Sequence, residues 1–167
     1  MRAVTRIARQ PTIHDLDGKS TFYTALIEGL APDPSLPLDE WSERYMVIPR
    51  STGAAEYGKY RLDRTPHARE IMRCLSDRHP SRRVVLMAAS QMLKTQVALN
   101  WFCYIVHQHP SNFVWLMPTG KLHKRIVQRI DRVIDAVDVV RPRVSPPGSR
   151  LATNSQDIKV FQGGSLY

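Results

Sequence analysis

Lys94 and Thr95 are the residues whose types and order point most directly to chemistry. They follow an apolar run, Arg83 to Ala88, and a short loop, and they stand where a helical pattern begins. That order suits phosphate binding. Backbone N–H groups and a helix N-terminus present partial positive charge to the β- and γ-phosphates. The ammonium adds a full charge at those oxygens, and the hydroxyl after it can ligate Mg²⁺. The complete pattern is G-x-x-x-x-G-K-[ST], and Ala88 and Leu93 stand where it has glycine. The second change is the more serious, because the residue before the lysine favours a left-handed conformation, which costs a non-glycine residue roughly 1–2 kcal/mol. Taken alone, the segment Ser90 to Thr95 reads equally as a phosphate loop and as an ordinary strand-to-helix turn.

A second candidate is a basic run on one helical stretch: Lys121, His123, Lys124, Arg125, Arg129 and Arg132, followed by Arg141 and Arg143. Across 167 residues, 24 Lys and Arg face 15 acids, a net charge of +9, which suits a polyanion because bound cations release its condensed counterions. The bland alternative is a solvated face, with Asp131, Asp135 and Asp138 neutralising the C-terminal half and pairing locally with Lys124 and Arg125. The N-terminal half, near Thr119, is the part expected to face DNA. Cys74 and Cys103 have apolar neighbours and offer no disulfide framework or metal spacing, so buried, inert positions are expected. His107 and His109 flank a helix end without an obvious ligand partner. Asp63 and Glu70 are not expected to form an acid/base pair. Trp101, Trp115 and Phe113 read as core, while Trp41 and Tyr45 are candidates for an exposed seam. No apolar run approaches the roughly 20 residues of a membrane span, and the basic N-terminus lacks a signal-peptide core, so a cytosolic protein is expected.

These residues must be positioned by a small set of elements. An irregular arm to about residue 19 precedes a helix over Thr21 to Gly29 capped by Ser20, then a stiff linker with Pro32, Pro34 and Pro37. Asp39 is expected to cap a helix from Glu40 to Tyr45, and Pro49 to Tyr60 reads as loop. Thr65 and Pro66 predict a helix start, with Ile71, Met72 and Leu75 inward. Arg83–Ala88 and Asn112–Met117 then read as buried strands, separated by a helix from Lys94 to His107 and followed by another from Lys121 to Val139. This alternation predicts an α/β fold with a mostly parallel sheet. After a proline-rich connection through Pro142, Pro146 and Pro147, a hairpin is expected, with Ile158–Phe161, a turn at Gln162–Gly164 and a returning strand from Ser165.

Several stretches, in order, resemble the large terminase subunits of the lambda-like GpA family of tailed phages. They are Leu38 to Tyr45, Tyr60 to Met72, Val84 to Trp101 (with Gln91, Lys94, Thr95, Ala98, Leu99, Asn100 and Trp101), Leu116 to Thr119, and Phe161 to Gly164. The resemblance implies a RecA-like P-loop ATPase of three layers that packs double-stranded DNA into procapsids, joined to an endonuclease. It implies ATP and Mg²⁺ as cofactors, and DNA, a small terminase subunit and the portal protein as partners, in a homo-oligomer working in the bacterial host cytoplasm. By position, Ser90, Gln91, Met92, Leu93, Lys94, Thr95 and Gln96 form the phosphate loop, Thr95 the Mg²⁺ ligand, and Pro66 and Arg69 an adenine-side contact. Thr119, Lys121, Lys124 and Arg125 fall where DNA contacts are expected. Residues 1–37 then form the arm, helix and linker, and 38–167 the front of the ATPase domain. In the family the acidic Walker B strand and the nuclease come after residues matching Tyr167. The expectation is therefore a truncated motor or prophage remnant that binds nucleotide weakly without turning over; the alternative is a non-catalytic DNA-binding or assembly module.

Overall fold

The structure is a computed structural model and describes residues 18–30, 34–52, 56–145 and 158–167. The expected arm before residue 18, residues 31–33 of the linker and the connection through Pro146 and Pro147 lie outside these. The chain divides into two compact units, Met1–Pro34 and Ser35–Tyr167. In the first, helix α1 (Gly18–Leu30) begins ahead of Ser20, so Ser20 lies inside the helix instead of capping it. Its Phe22, Leu26 and Ile27 are exposed.

The second unit is built around burial of α2 (Leu38–Tyr45) and α4 (Lys94–Gln108) against each other. Pro37 precedes α2 and Asp39 lies within its first turn, so the expected Asp39 cap is absent. Asp39 is fully buried and receives the Arg73 Nε–H at 2.8 Å, with Arg69 at 3.7 Å. The Leu38 N–H donates to Ser76 Oγ at 2.8 Å, which ties the start of α2 to the end of α3 (Ala68–Cys74). Trp41 is fully buried, its Nε1–H donating to His107 Nδ1 at 3.0 Å and its ring edge-on to Tyr104. Tyr45 packs on it, half-buried. The reading of Trp41 as an exposed seam is therefore corrected: its large apolar area is worth more against α4 than in water.

Short strands β1 (Val47–Ile48) and β2 (Gly58–Lys59) pair antiparallel, with Val47 opposite Lys59. Helix α3 starts two residues after Pro66, and the Thr65 hydroxyl hydrogen-bonds that of Tyr60, leaving no side-chain cap from Thr65. Its inward residues are as expected, with Met72 fully buried and Ile71 and Leu75 packed beside it. In α4, Val97, Leu99, Phe102, Cys103, Tyr104 and Val106 are buried. Burial pushes the Cys103 thiol up to about 12, so it is held neutral. Helix α5 (Gly120–Ala136) is capped by Thr119, whose hydroxyl accepts the Leu122 N–H, and buries Ile130, Val133 and Ile134. The expected hairpin is present as β3 (Lys159–Phe161) and β4 (Gly164–Leu166). Its turn needs glycine: Gly163 has φ 88°, and a Cβ on Gly164 would lie 2.6 Å from the Ser111 carbonyl oxygen.

The fold is α/β in character, with two two-stranded antiparallel sheets. Parallel pairing is confined, among the described residues, to Phe113 beside Leu166, extended by Trp115 N–H to Tyr167 O at 2.8 Å. The segment Arg83–Ala88 is not a strand: Val85 is 84% and Met87 95% exposed. On the second expected strand, Phe113 is buried but Leu116 is 87% exposed. An apolar run reads the same in sequence whether or not a neighbouring strand and covering layer are present, and none covers these side chains among the described residues.

Truncating Trp41 to Ala is expected to destabilise the chain by about 3–5 kcal/mol, and Trp41→Phe by clearly less, because it keeps most of the buried area. Urea denaturation followed by circular dichroism checks this. Equal losses for the two variants would place the stability in the hydrogen bond to His107 instead of in packing.

Candidate functional site

The N-terminus of α4 opens on a cleft of about 970 Å³, within the size range of small-molecule sites. Gln91 to Gln96 form one wall. Across from them stand Tyr57, Lys59, Tyr60, Arg61 and Arg64, and Arg129 of α5 completes the lining. The far wall is held by α5, which packs against β1 and the 3₁₀ turn Arg50–Thr52, with Arg132 donating to the Ser51 carbonyl at 2.6 Å. Arg50 lies 4.2 Å over the Tyr57 ring, and Arg64 pairs with Glu56 at 2.7 Å. Burial raises the Tyr60 hydroxyl above its ordinary value, outweighing its hydrogen bond with Thr65.

The loop itself is strained in the expected place. Leu93 has φ 53° and ψ 0°, left-handed, and Gln91 has φ 60°. Both are non-glycine residues in a region that crowds Cβ against the backbone. At this turn the Leu93 carbonyl accepts the Val97 N–H at 2.9 Å and starts α4. Lys94 folds back along that chain, its Nζ donating to the Ala88 carbonyl at 2.9 Å and to that of Ala89. The Lys94 ammonium thus holds neutral carbonyl oxygens at the mouth of a basic cleft. Behind it, buried Gln96 donates from Nε2 to Asn100 Oδ1 at 2.8 Å and accepts from Arg129 at 3.3 Å.

Of the residues expected from sequence, Gln91, Met92, Leu93, Lys94, Thr95 and Gln96 come together on the cleft. Ser90 is exposed and does not line it. Arg69, expected on the adenine side, is held at Asp39 and is not among the lining residues. Thr119, Lys121, Lys124 and Arg125 share the exposed N-terminal part of α5, outside the cleft. The expected local pairing of Lys124 and Arg125 with α5 acids is not formed: Asp131 pairs with Lys159 at 3.0 Å and Asp138 with Arg141 at 3.3 Å. Both ion pairs reach away from the N-terminal half of the helix.

Sequence reasoning missed Tyr57, Arg61, Arg64 and Arg129. Tyr57 sits in the stretch read as loop, and Arg61 and Arg64 sit in the resembling stretch Tyr60 to Met72, where no cleft role was expected of them. Arg129 had a readable signal: it lies three residues after Ile126 and four before Val133, on the stripe that α5 turns inward. A cation on a buried stripe calls for an anion.

The family model described as "Phage terminase large subunit gpA, ATPase domain" matches residues 54–167, a span that includes the loop, α4 and α5. Comparison with curated proteins gave no match, and comparison with solved structures gave none.

The strain at Leu93 gives a sharp expectation. Leu93→Gly and Leu93→Ala both lose the side chain's partial packing, but only glycine relieves the left-handed backbone. Leu93→Gly should be about 1 kcal/mol more stable than Leu93→Ala in urea denaturation. The reverse order would mean that the left-handed turn is not held in solution.

Proposed function

The chain belongs to the phage terminase large subunit gpA family, in its ATPase domain, and we propose that its cleft binds the nucleoside triphosphate that drives packaging of double-stranded DNA. The observation that carries the reading is the left-handed residue immediately before Lys94 at the start of α4. This backbone turn aims the first N–H groups of a 15-residue helix at the cleft, even though leucine occupies the position. Strain of this kind persists where surrounding structure over-determines it, and it concentrates at functional sites.

The residues fit a Mg²⁺–ATP complex. Lys94 exchanges two neutral carbonyl acceptors for anionic phosphate oxygens, which adds an ion–ion attraction to hydrogen bonds that the ammonium already strengthens. Thr95 lines the cleft and supplies the hydroxyl for the metal that accompanies the nucleotide. When bound, that metal neutralises charge between the phosphates. Tyr57 and Arg61 are placed to border a base or ribose, the role first expected of Arg69.

The second element of the reading is DNA. Lys121, Lys124 and Arg125 are exposed and form no ion pair among the described residues, which supports an α5 N-terminal half free to meet phosphates. The small terminase subunit, portal protein and a homo-oligomeric ring come from the family resemblance.

Titration with a fluorescent ATP analogue and Mg²⁺ tests the cleft. Saturable binding to the wild-type chain that is lost in Lys94→Ala is expected, whereas no binding by either protein sinks the nucleotide reading and leaves a DNA-binding module. In a separate assay, the double variant Lys124→Ala, Arg125→Ala should lower the slope of log K against log salt for duplex DNA by about 2. An unchanged slope removes this face from the DNA contact.

A further inference from the structure

Arg129 is a half-buried cation, its Nε fully enclosed, that the phosphate-loop chemistry leaves unused. It reaches the cleft from α5, not from the loop, and its nearest described partner is a neutral amide, Gln96 Oε1 at 3.3 Å. Its Nε is buried without a hydrogen-bond partner, and no ion pair joins it among the described residues. Burial pulls its guanidinium below the ordinary arginine value, with no carboxylate contributing. Desolvating a cation without a counter-charge is costly unless a partner arrives. Gln96 is not free to turn away, because its Nε2 is committed to Asn100 Oδ1 at 2.8 Å inside α4. The amide therefore fixes the guanidinium beside the N-terminus of α4 and offers it no negative charge. The missing partner is an anion in the cleft.

We propose that Arg129 is a second phosphate-directed cation of the cleft, positioned by Gln96 and Asn100, which makes affinity rise with the charge of the nucleotide's phosphate chain. This rests on the nucleotide reading of the cleft. A guanidinium presents a planar fork that phosphate oxygens match in two places, which a lone ammonium cannot do. With Lys94 on one side and Arg129 on the other, each added phosphate meets two fixed cations. With Lys94 alone, the gain per phosphate is smaller.

The test compares wild type, Arg129→Gln, Arg129→Lys and Lys94→Ala, using the fluorescent ATP analogue with Mg²⁺, competition by ADP, and thermal melting without ligand. Arg129→Gln should weaken binding of the analogue about ten-fold, the scale of one hydrogen bond to a charged group. It should also narrow the preference for triphosphate over diphosphate, and Arg129→Lys should recover part of both losses. Without ligand, Arg129→Gln should melt no lower than wild type, since it removes a half-buried charge with no counter-ion. Unchanged affinity and preference in Arg129→Gln overturn the inference, as does a lower melting temperature with unchanged affinity, which would make Arg129 structural. If the wild-type chain binds no nucleotide at all, the nucleotide reading itself falls, an outcome distinct from a wild type that binds and an Arg129→Gln that binds equally.

Discussion

The left-handed turn at Leu93 can persist only if the helix after it cannot yield. Two non-glycine residues with positive φ store on the order of 1–3 kcal/mol each. An α4 free to shift would relax that strain by unwinding its first turn. It is not free, because Val97, Leu99, Phe102, Cys103, Tyr104 and Val106 bury its sides and Trp41 of α2 locks against Tyr104 and His107. Burial of a few large side chains thus holds a loop geometry that the loop's own sequence disfavours. The terms are comparable: one fully buried large apolar side chain contributes roughly 1.5–3 kcal/mol.

The same packing decides where charge ends up. Several acids of the second unit are drawn into structural pairs: Asp39 with Arg73 and Arg69, Asp131 with Lys159, Glu56 with Arg64. What remains around the cleft is largely cationic, namely Lys59, Arg61, Lys94 and Arg129. An excess of positive charge spread over a surface says little about function. Cations gathered in a concave site, one of them half-buried without a counter-charge, carry much more, because the low-dielectric wall strengthens their field.

The helices and the final hairpin were legible in the sequence because their signals are local. The 3.6-residue spacing of Val97, Leu99 and Val106 belongs to α4 whatever surrounds it, and Gly163–Gly164 marks its turn by sterics alone. Where the sequence misled, a distant partner decided. Asp39 looked like a cap because Asp favours caps, but Arg73, 34 residues on, captured it. Trp41 looked exposable because α2 is short and charged, yet His107 and Tyr104 enclose it. Val85 and Met87 looked buried because hydrophobicity names a need for cover without saying whether the cover is present. The loop before α4 was half legible: Lys94 and Thr95 pointed to phosphate chemistry, and Leu93 argued against the geometry that the structure nonetheless adopts.

Helix α5 belongs to both halves of the problem. Its buried stripe carries Arg129 into the cleft, and its exposed N-terminal face carries Lys121, Lys124 and Arg125 about a turn or more away. At 1.5 Å per residue, Arg125 and Arg129 are separated by roughly 6 Å along the axis. Over that distance a packed helix is one body, since Ile130, Val133 and Ile134 anchor it in the core. Gln96 already holds Arg129 beside α4, so the exposed face that carries Lys121, Lys124 and Arg125 keeps a set orientation to the cleft.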